Sequence, residues 1–130
     1  MSNNGTKVVI AGCGGMANNW AKVLTDIHDV TIVGLFDINK DNARQLAEKH
    51  ELNETTVYDS LKQAIQETGA DVVCDVTVPE AHEKITTEAL QLGCHVISEK
   101  PMTTDLESAR RMVDAANKAS KLYAVMQNRR

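Results

Sequence analysis

No window of this 130-residue sequence approaches the roughly 18 uncharged apolar residues that a membrane span requires. The polar start, Met1 to Lys7, also lacks the charged-then-apolar layout of a secretory signal. These two absences predict a cytoplasmic protein with no membrane partner. Basic residues are not in excess: 14 Lys and Arg stand against 18 Asp and Glu, for a formal charge of -4. Nucleic-acid binding is driven by clustered Lys and Arg, so no nucleic-acid partner is expected. The closing Asn128, Arg129 and Arg130 are too short a stretch to change that, and read equally well as a solvated tail or as part of a site. Cysteine is scarce and unpatterned. Cys13, Cys74 and Cys94 form an odd set with no C-x-x-C spacing, which excludes a disulfide framework and a zinc site by expectation and predicts reduced, buried thiols. Internal repeats, low-complexity tracts and linkers are missing as well.

What is present is an ordinary mixture, 42% hydrophobic and 25% charged, in a chain long enough to bury roughly two thirds of its unfolded surface. It reads as one dinucleotide-binding domain over residues 1–130. Short β-branched runs alternate with helix-period stretches, the pattern of an α/β fold with a mostly parallel sheet covered by helices on both faces. Six strands are predicted: Lys7 to Ala11, Thr31 to Phe36, Thr56 to Tyr58, Asp71 to Val76, His95 to Ser98 and Leu122 to Met126. Several are continuous apolar runs, as strands buried on both faces require. Between them, apolar residues recur at helical spacing, for example Ile85, Ala89 and Leu92, or Leu106, Ala109, Val113 and Ala116. Asn39, Ser60 and Thr104 are the expected N-caps, and Gly69 and Gly93 stand where helices should stop.

The first strand runs into Gly12-Cys13-Gly14-Gly15-Met16-Ala17, a G-x-G-x-x-A turn that opens a helix. Gly12 permits the tight turn, Gly14 lets backbone approach a pyrophosphate, and Ala17 is small enough for close helix packing on the strand. The helix N-terminus then offers unpaired N–H groups to phosphate. Glycine pairs also occur in ordinary turns. Here, however, the second strand ends in Asp37, at the distance where a ribose-binding acid is expected. A carboxylate there accepts hydrogen bonds from ribose hydroxyls and repels a 2′-phosphate, which favours NAD over NADP; the alternative for Asp37 is a turn cap. Lys40, close by in sequence, softens that discrimination, so NADP use stays open.

Two later loops lie at carboxyl ends of predicted parallel strands, where open α/β sheets bind ligands. They are Thr77-Val78-Pro79-Glu80-Ala81-His82 and the Glu99-Lys100-Pro101 triplet. With the glycine loop, Asp37 and the closing Gln127-Asn128-Arg129-Arg130, they give a chain that resembles, over essentially its whole length, the glucose-fructose oxidoreductase and inositol dehydrogenase (Gfo/Idh/MocA) family of nicotinamide-dependent sugar oxidoreductases. The resemblance implies a doubly wound Rossmann fold that binds NAD, or NADP. It further implies hydride transfer between that cofactor and a sugar, polyol or related hydroxy compound, and a homo-oligomer when full length.

By the same resemblance, Lys100 is the catalytic residue on this part of the protein, beside an often cis lysine–proline bond, and Thr77 to Pro79 line the nicotinamide side. The implied cofactor-binding set is Gly12, Cys13, Gly14, Gly15, Met16, Ala17, Asp37, Ile38, Thr77, Val78, Pro79, His82, Glu99 and Lys100. Val78 and Pro79 depart from the commoner T-P-N-x-x-H form, which leaves backbone contacts there. Family members carry a second domain with the substrate contacts and further acid–base residues, often an Asp and a His. The resemblance thus implies that these residues are the N-terminal part of a longer protein. From the residues alone, His82 reads as a surface or capping residue of an amphipathic helix rather than a contact, Trp20 as packing on the first helix or covering an edge, and Cys13 as inert packing beside the cofactor; the resemblance implies that Trp20 can instead face the interdomain cleft. Two other functions fit a glycine-rich turn followed by an acid: a non-catalytic redox sensor, and an S-adenosylmethionine-dependent methyltransferase.

Overall fold

In the computed structural model, which describes residues 5–127, eleven elements alternate along the chain. They are β1 (Thr6–Ala11), α1 (Ala17–Thr25), β2 (Val30–Phe36), α2 (Lys40–Lys49), β3 (Thr56–Tyr58), α3 (Leu61–Thr68), β4 (Val72–Asp75), α4 (Pro79–Gln91), β5 (His95–Glu99), α5 (Leu106–Ala119) and β6 (Tyr123–Met126). Asn128, Arg129 and Arg130 lie outside the described residues. The strands form one sheet in the order β3-β2-β1-β4-β5-β6, and every pairing is parallel. The doubly wound six-stranded sheet expected from the sequence is present, and all of it is parallel. Each return to the same edge is made through a helix, which forces parallel pairing.

Side-chain alternation divides the interior into two layers. Val8, Ile10 and Cys74 face Ala17 and Ala21 of α1 and Ala43 and Leu46 of α2. Val9, Ala11, Val73 and Val96 face Leu61, Ala64 and Ile65 of α3, Ile85, Ala89 and Leu90 of α4, and Ala116 of α5. Fully buried side chains such as Ile10, Leu35, Leu61 and Leu90 each contribute roughly 1.5–3 kcal/mol by leaving water.

The caps are as expected at two helices. Asn39 accepts from the Asp41 amide and Ser60 from the Gln63 amide. At α5 the cap is Asp105, not Thr104: its carboxylate accepts the Ser108 N–H at 2.8 Å. Gly69 takes the left-handed conformation at the end of α3, and Gly93, with φ +94°, follows α4. Strand limits move by a residue or two; Asp71 sits just ahead of β4, where its carboxylate accepts the Lys7 N–H at 2.9 Å.

Candidate functional site

The order β2-β1-β4 brings the loops that follow these three strands side by side at one sheet edge. Gly12, at the end of β1, has φ +94°, and a Cβ there would lie 2.6 Å from the Val76 carbonyl carbon and oxygen, so only glycine lets the first loop pass the loop after β4. At Gly14 and Gly15 the space a Cβ would enter is open. The first α1 amides are already used: Ala17, Asn18 and Asn19 N–H donate to the Gly14, Gly15 and Met16 carbonyls. The amides with no partner among the described residues are those of Gly14, Gly15 and Met16, one step earlier than the helix terminus proper. Three free N–H groups beside an open surface suit a diphosphate. Ala17 is fully buried against the sheet, and Met16 is half exposed.

Asp37 closes this loop from β2. Its Oδ2 accepts the Cys13 N–H at 2.7 Å and its Oδ1 accepts the Asn39 N–H at 2.8 Å, so the carboxylate is aimed by two backbone donors. Asp37 thus braces a turn, and it also lines a cleft of about 370 Å³ with Gly12, Gly14, Ile38, Val76, Thr77 and Val78. Ile38 and Val78 flank the cleft from the β2 and β4 sides while 96% and 62% exposed, respectively. Apolar side chains held open in this way fit a flat ring between them. Cys13 contributes its backbone; burial, with the Asp37 charge second, pushes its thiol up to about 12, and Sγ lies 3.6 Å from the Phe36 carbonyl oxygen. Lys40 is engaged by Asp59 in an ion pair rather than free beside Asp37.

The Thr77–Pro79 segment follows β4 and reaches the same edge. Thr77 and Val78 line the cleft that holds Asp37, because β4 is the direct neighbour of β1, whereas Lys100 follows β5, one strand further out. Pro79 is the first residue of α4, where its missing N–H costs nothing.

At the β5 edge the Lys100–Pro101 bond is cis and Lys100 is exposed. Glu99 is not free: Oε2 accepts the Trp20 indole N–H at 2.7 Å and Oε1 the Lys100 amide at 3.2 Å. Trp20 thereby ties α1 to the triplet across 79 residues, a contact for which local sequence carries no signal.

His82 departs furthest from expectation. It is neither a surface nor a capping residue, nor does it have surface to offer a ligand: it is 0% exposed. Nδ1 is 3.0 and 3.1 Å from the Pro101 and Met102 carbonyl oxygens, and Nε2 is 2.8 Å from that of Thr77. Asp75, the last residue of β4 and in sequence only part of an apolar run, is also 0% exposed. It accepts from the Thr77 hydroxyl at 2.5 Å, the Thr77 amide at 3.2 Å and the Thr86 hydroxyl at 2.8 Å. Burial pushes the Asp75 carboxyl above the usual range, with the Thr77 hydroxyl, the His82 charge and the Thr86 hydroxyl acting against it. Among the described residues there is no group of three His, Cys, Asp or Glu placed to hold a metal, and no helix long and apolar enough to cross a membrane.

Residues 6–127 match the family model GFO_IDH_MocA, described as an oxidoreductase family with an NAD-binding Rossmann fold. The chain is 32% identical to D-glucoside 3-dehydrogenase of Escherichia coli over 95% of its own length and 35% of that protein's. It is 29% identical to inositol 2-dehydrogenase of Klebsiella pneumoniae over 88% of its length and 34% of the relative's. Among solved structures it is similar to the WlbA dehydrogenase of Chromobacterium violaceum in complex with NADH and UDP-GlcNAcA, with TM-score 0.89 and 30% identity, covering 100% of this chain and 37% of that one. A second is myo-inositol dehydrogenase of Lactobacillus casei with NAD(H) and myo-inositol, with TM-score 0.86 and 29% identity over 93% of this chain and 36% of that one. The chain thus spans about a third of the length of the curated relatives it matches.

Proposed function

The chain belongs to the Gfo/Idh/MocA oxidoreductase family, whose matched part is an NAD-binding Rossmann fold, and on that premise we propose that it is the cofactor-holding part of a dehydrogenase acting on a sugar, polyol or related hydroxy compound. Membership in an oxidoreductase family sets aside the methyltransferase alternative. The observation that carries the reading is the aimed carboxylate of Asp37, held by the Cys13 and Asn39 amides at the wall of the cleft.

In this reading the Asp37 carboxylate accepts the hydroxyls of the adenosine ribose, Ile38 and Val78 sandwich the adenine, and the free amides of Gly14, Gly15 and Met16 take the pyrophosphate. Lys100, exposed at the end of β5, would stand on the nicotinamide side. Bound NAD supplies the hydride acceptor. Lys100 contributes a donor at the substrate hydroxyl, orienting it and favouring loss of its proton to a base. Glu99, engaged by Trp20 and the Lys100 amide, acts by holding the triplet in place. Relatives named as dehydrogenases of glucosides and inositols support the substrate class.

The test is a titration of the chain with NADH and with NADPH, followed through energy transfer from Trp20, the one tryptophan. Saturable NADH binding with weaker NADPH binding is expected, and Asp37→Ala should lower NADH affinity about tenfold while narrowing the gap between the two. Absence of saturable binding by either nucleotide overturns the reading.

A further inference from the structure

The surroundings of His82 pose a hydrogen-bonding question. Nδ1 faces the carbonyl oxygens of Pro101 and Met102, and Nε2 that of Thr77. A carbonyl oxygen accepts and never donates, and a neutral imidazole has one N–H. With one nitrogen bare, a lone pair would sit at hydrogen-bond distance from a carbonyl oxygen in a fully buried place. A ring that donates from both nitrogens removes this conflict. The charge it then carries has a counterpart: Asp75 Oδ1 lies 3.8 Å from Nε2. Asp75 in turn receives the Thr77 amide and the Thr77 and Thr86 hydroxyls. Buried charges persist when they are paired and hydrogen-bonded in this manner.

We infer that His82 is a doubly protonated positioning residue, counter-charged by Asp75, that fixes the Pro101–Met102 segment, and Lys100 with it, against the cofactor cleft. The inference rests on the NAD-binding reading above. Its two ends are unequal. Thr77 has a second anchor in Asp75, so its place in the cleft survives loss of the imidazole, while the Pro101 and Met102 carbonyls lose the N–H that holds them. Recognition of the nicotinamide half depends on His82, and recognition of the adenosine half does not.

Calorimetric titration of the chain with NADH and with ADP-ribose, which lacks the nicotinamide, separates the two. In His82→Gln, which presents an N–H at one end of the side chain only, NADH affinity should fall about tenfold, with ADP-ribose affinity held within about twofold. Equal weakening of both ligands, or of neither, overturns the positioning role. A second measurement uses the unmodified chain: ¹⁵N spectra of the His82 ring should show a one-bond N–H coupling at both nitrogens, and a bare nitrogen overturns the inference whether or not the variant folds. If neither ligand binds the unmodified chain, it is the NAD reading that fails, and the ring spectrum still decides the state of His82.

Discussion

Gly12 and Gly14 stand two residues apart and answer to different constraints. Gly12 is needed by the fold, since a methyl there meets the Val76 backbone at 2.6 Å in a conformation with φ +94°. Gly12→Ala should therefore destabilise the chain by about 2 kcal/mol or more, read as a lowered urea midpoint. Gly14 has open space where its Cβ would go. Gly14→Ala should leave the midpoint nearly unchanged and weaken NADH binding, because the methyl stands where the ligand approaches. If both variants lose stability equally, the loop is not built as described. The cysteines give a second test at this scale. Burial raises Cys13 and Cys74 to about 12 and Cys94 to about 11, so at about pH 8 the thiolate is scarce in all three. A thiol reagent should label the native chain slowly and the urea-unfolded chain rapidly at three sites; fast native labelling of Cys13 would contradict its inertness.

Helix starts show how far local chemistry carries. Asn39 and Ser60 are recognisable as caps because a short acceptor side chain stands just ahead of an apolar period. Thr104 and Asp105 are both acceptors at the head of α5, and only the backbone path selects Asp105. The Ser108 amide, then its hydroxyl, holds the Asp105 carboxyl below the usual carboxylate range. A group lowered in the folded state stabilises above its ordinary range and loses that contribution as pH falls through its folded value. The urea midpoint of Asp105→Ala should accordingly lie below that of the unmodified chain near neutral pH, and the two should converge as pH falls below the ordinary carboxylate range. A difference independent of pH would show that the cap acts without its charge. The α1 start is of another kind: Met16 provides no side-chain cap, and the amides left without partners among the described residues are those of the preceding loop.

The whole molecule places the cleft at the change of direction in the strand order, where the chain leaves β1 toward β2 and later returns to its other side as β4. A ligand gripped there touches loops from three strands and binds only the folded chain, so NADH at about a hundred times its dissociation constant should stabilise folding by about 2.7 kcal/mol. Thermal unfolding checks this, with a smaller shift expected for NADPH; no shift at saturating NADH would count against the cleft as the site.

The alternation of elements, the glycine loop and Asp37 were legible in the sequence because each depends on neighbours within one turn or one β-α-β unit, where periodicity and backbone sterics act directly. Lys100 and the Thr77–His82 segment were candidates by resemblance only, and the sequence did not place them in space. Tertiary structure decided the rest. It brought Val78 and Ile38 to one cleft, turned Glu99 to Trp20, paired Lys40 with Asp59, and buried His82 between Thr77 and the Pro101–Met102 carbonyls beside Asp75. Those contacts join residues from different loops, and a polar side chain reads as surface in sequence until the fold has surrounded it with acceptors and excluded the water that would otherwise have satisfied it.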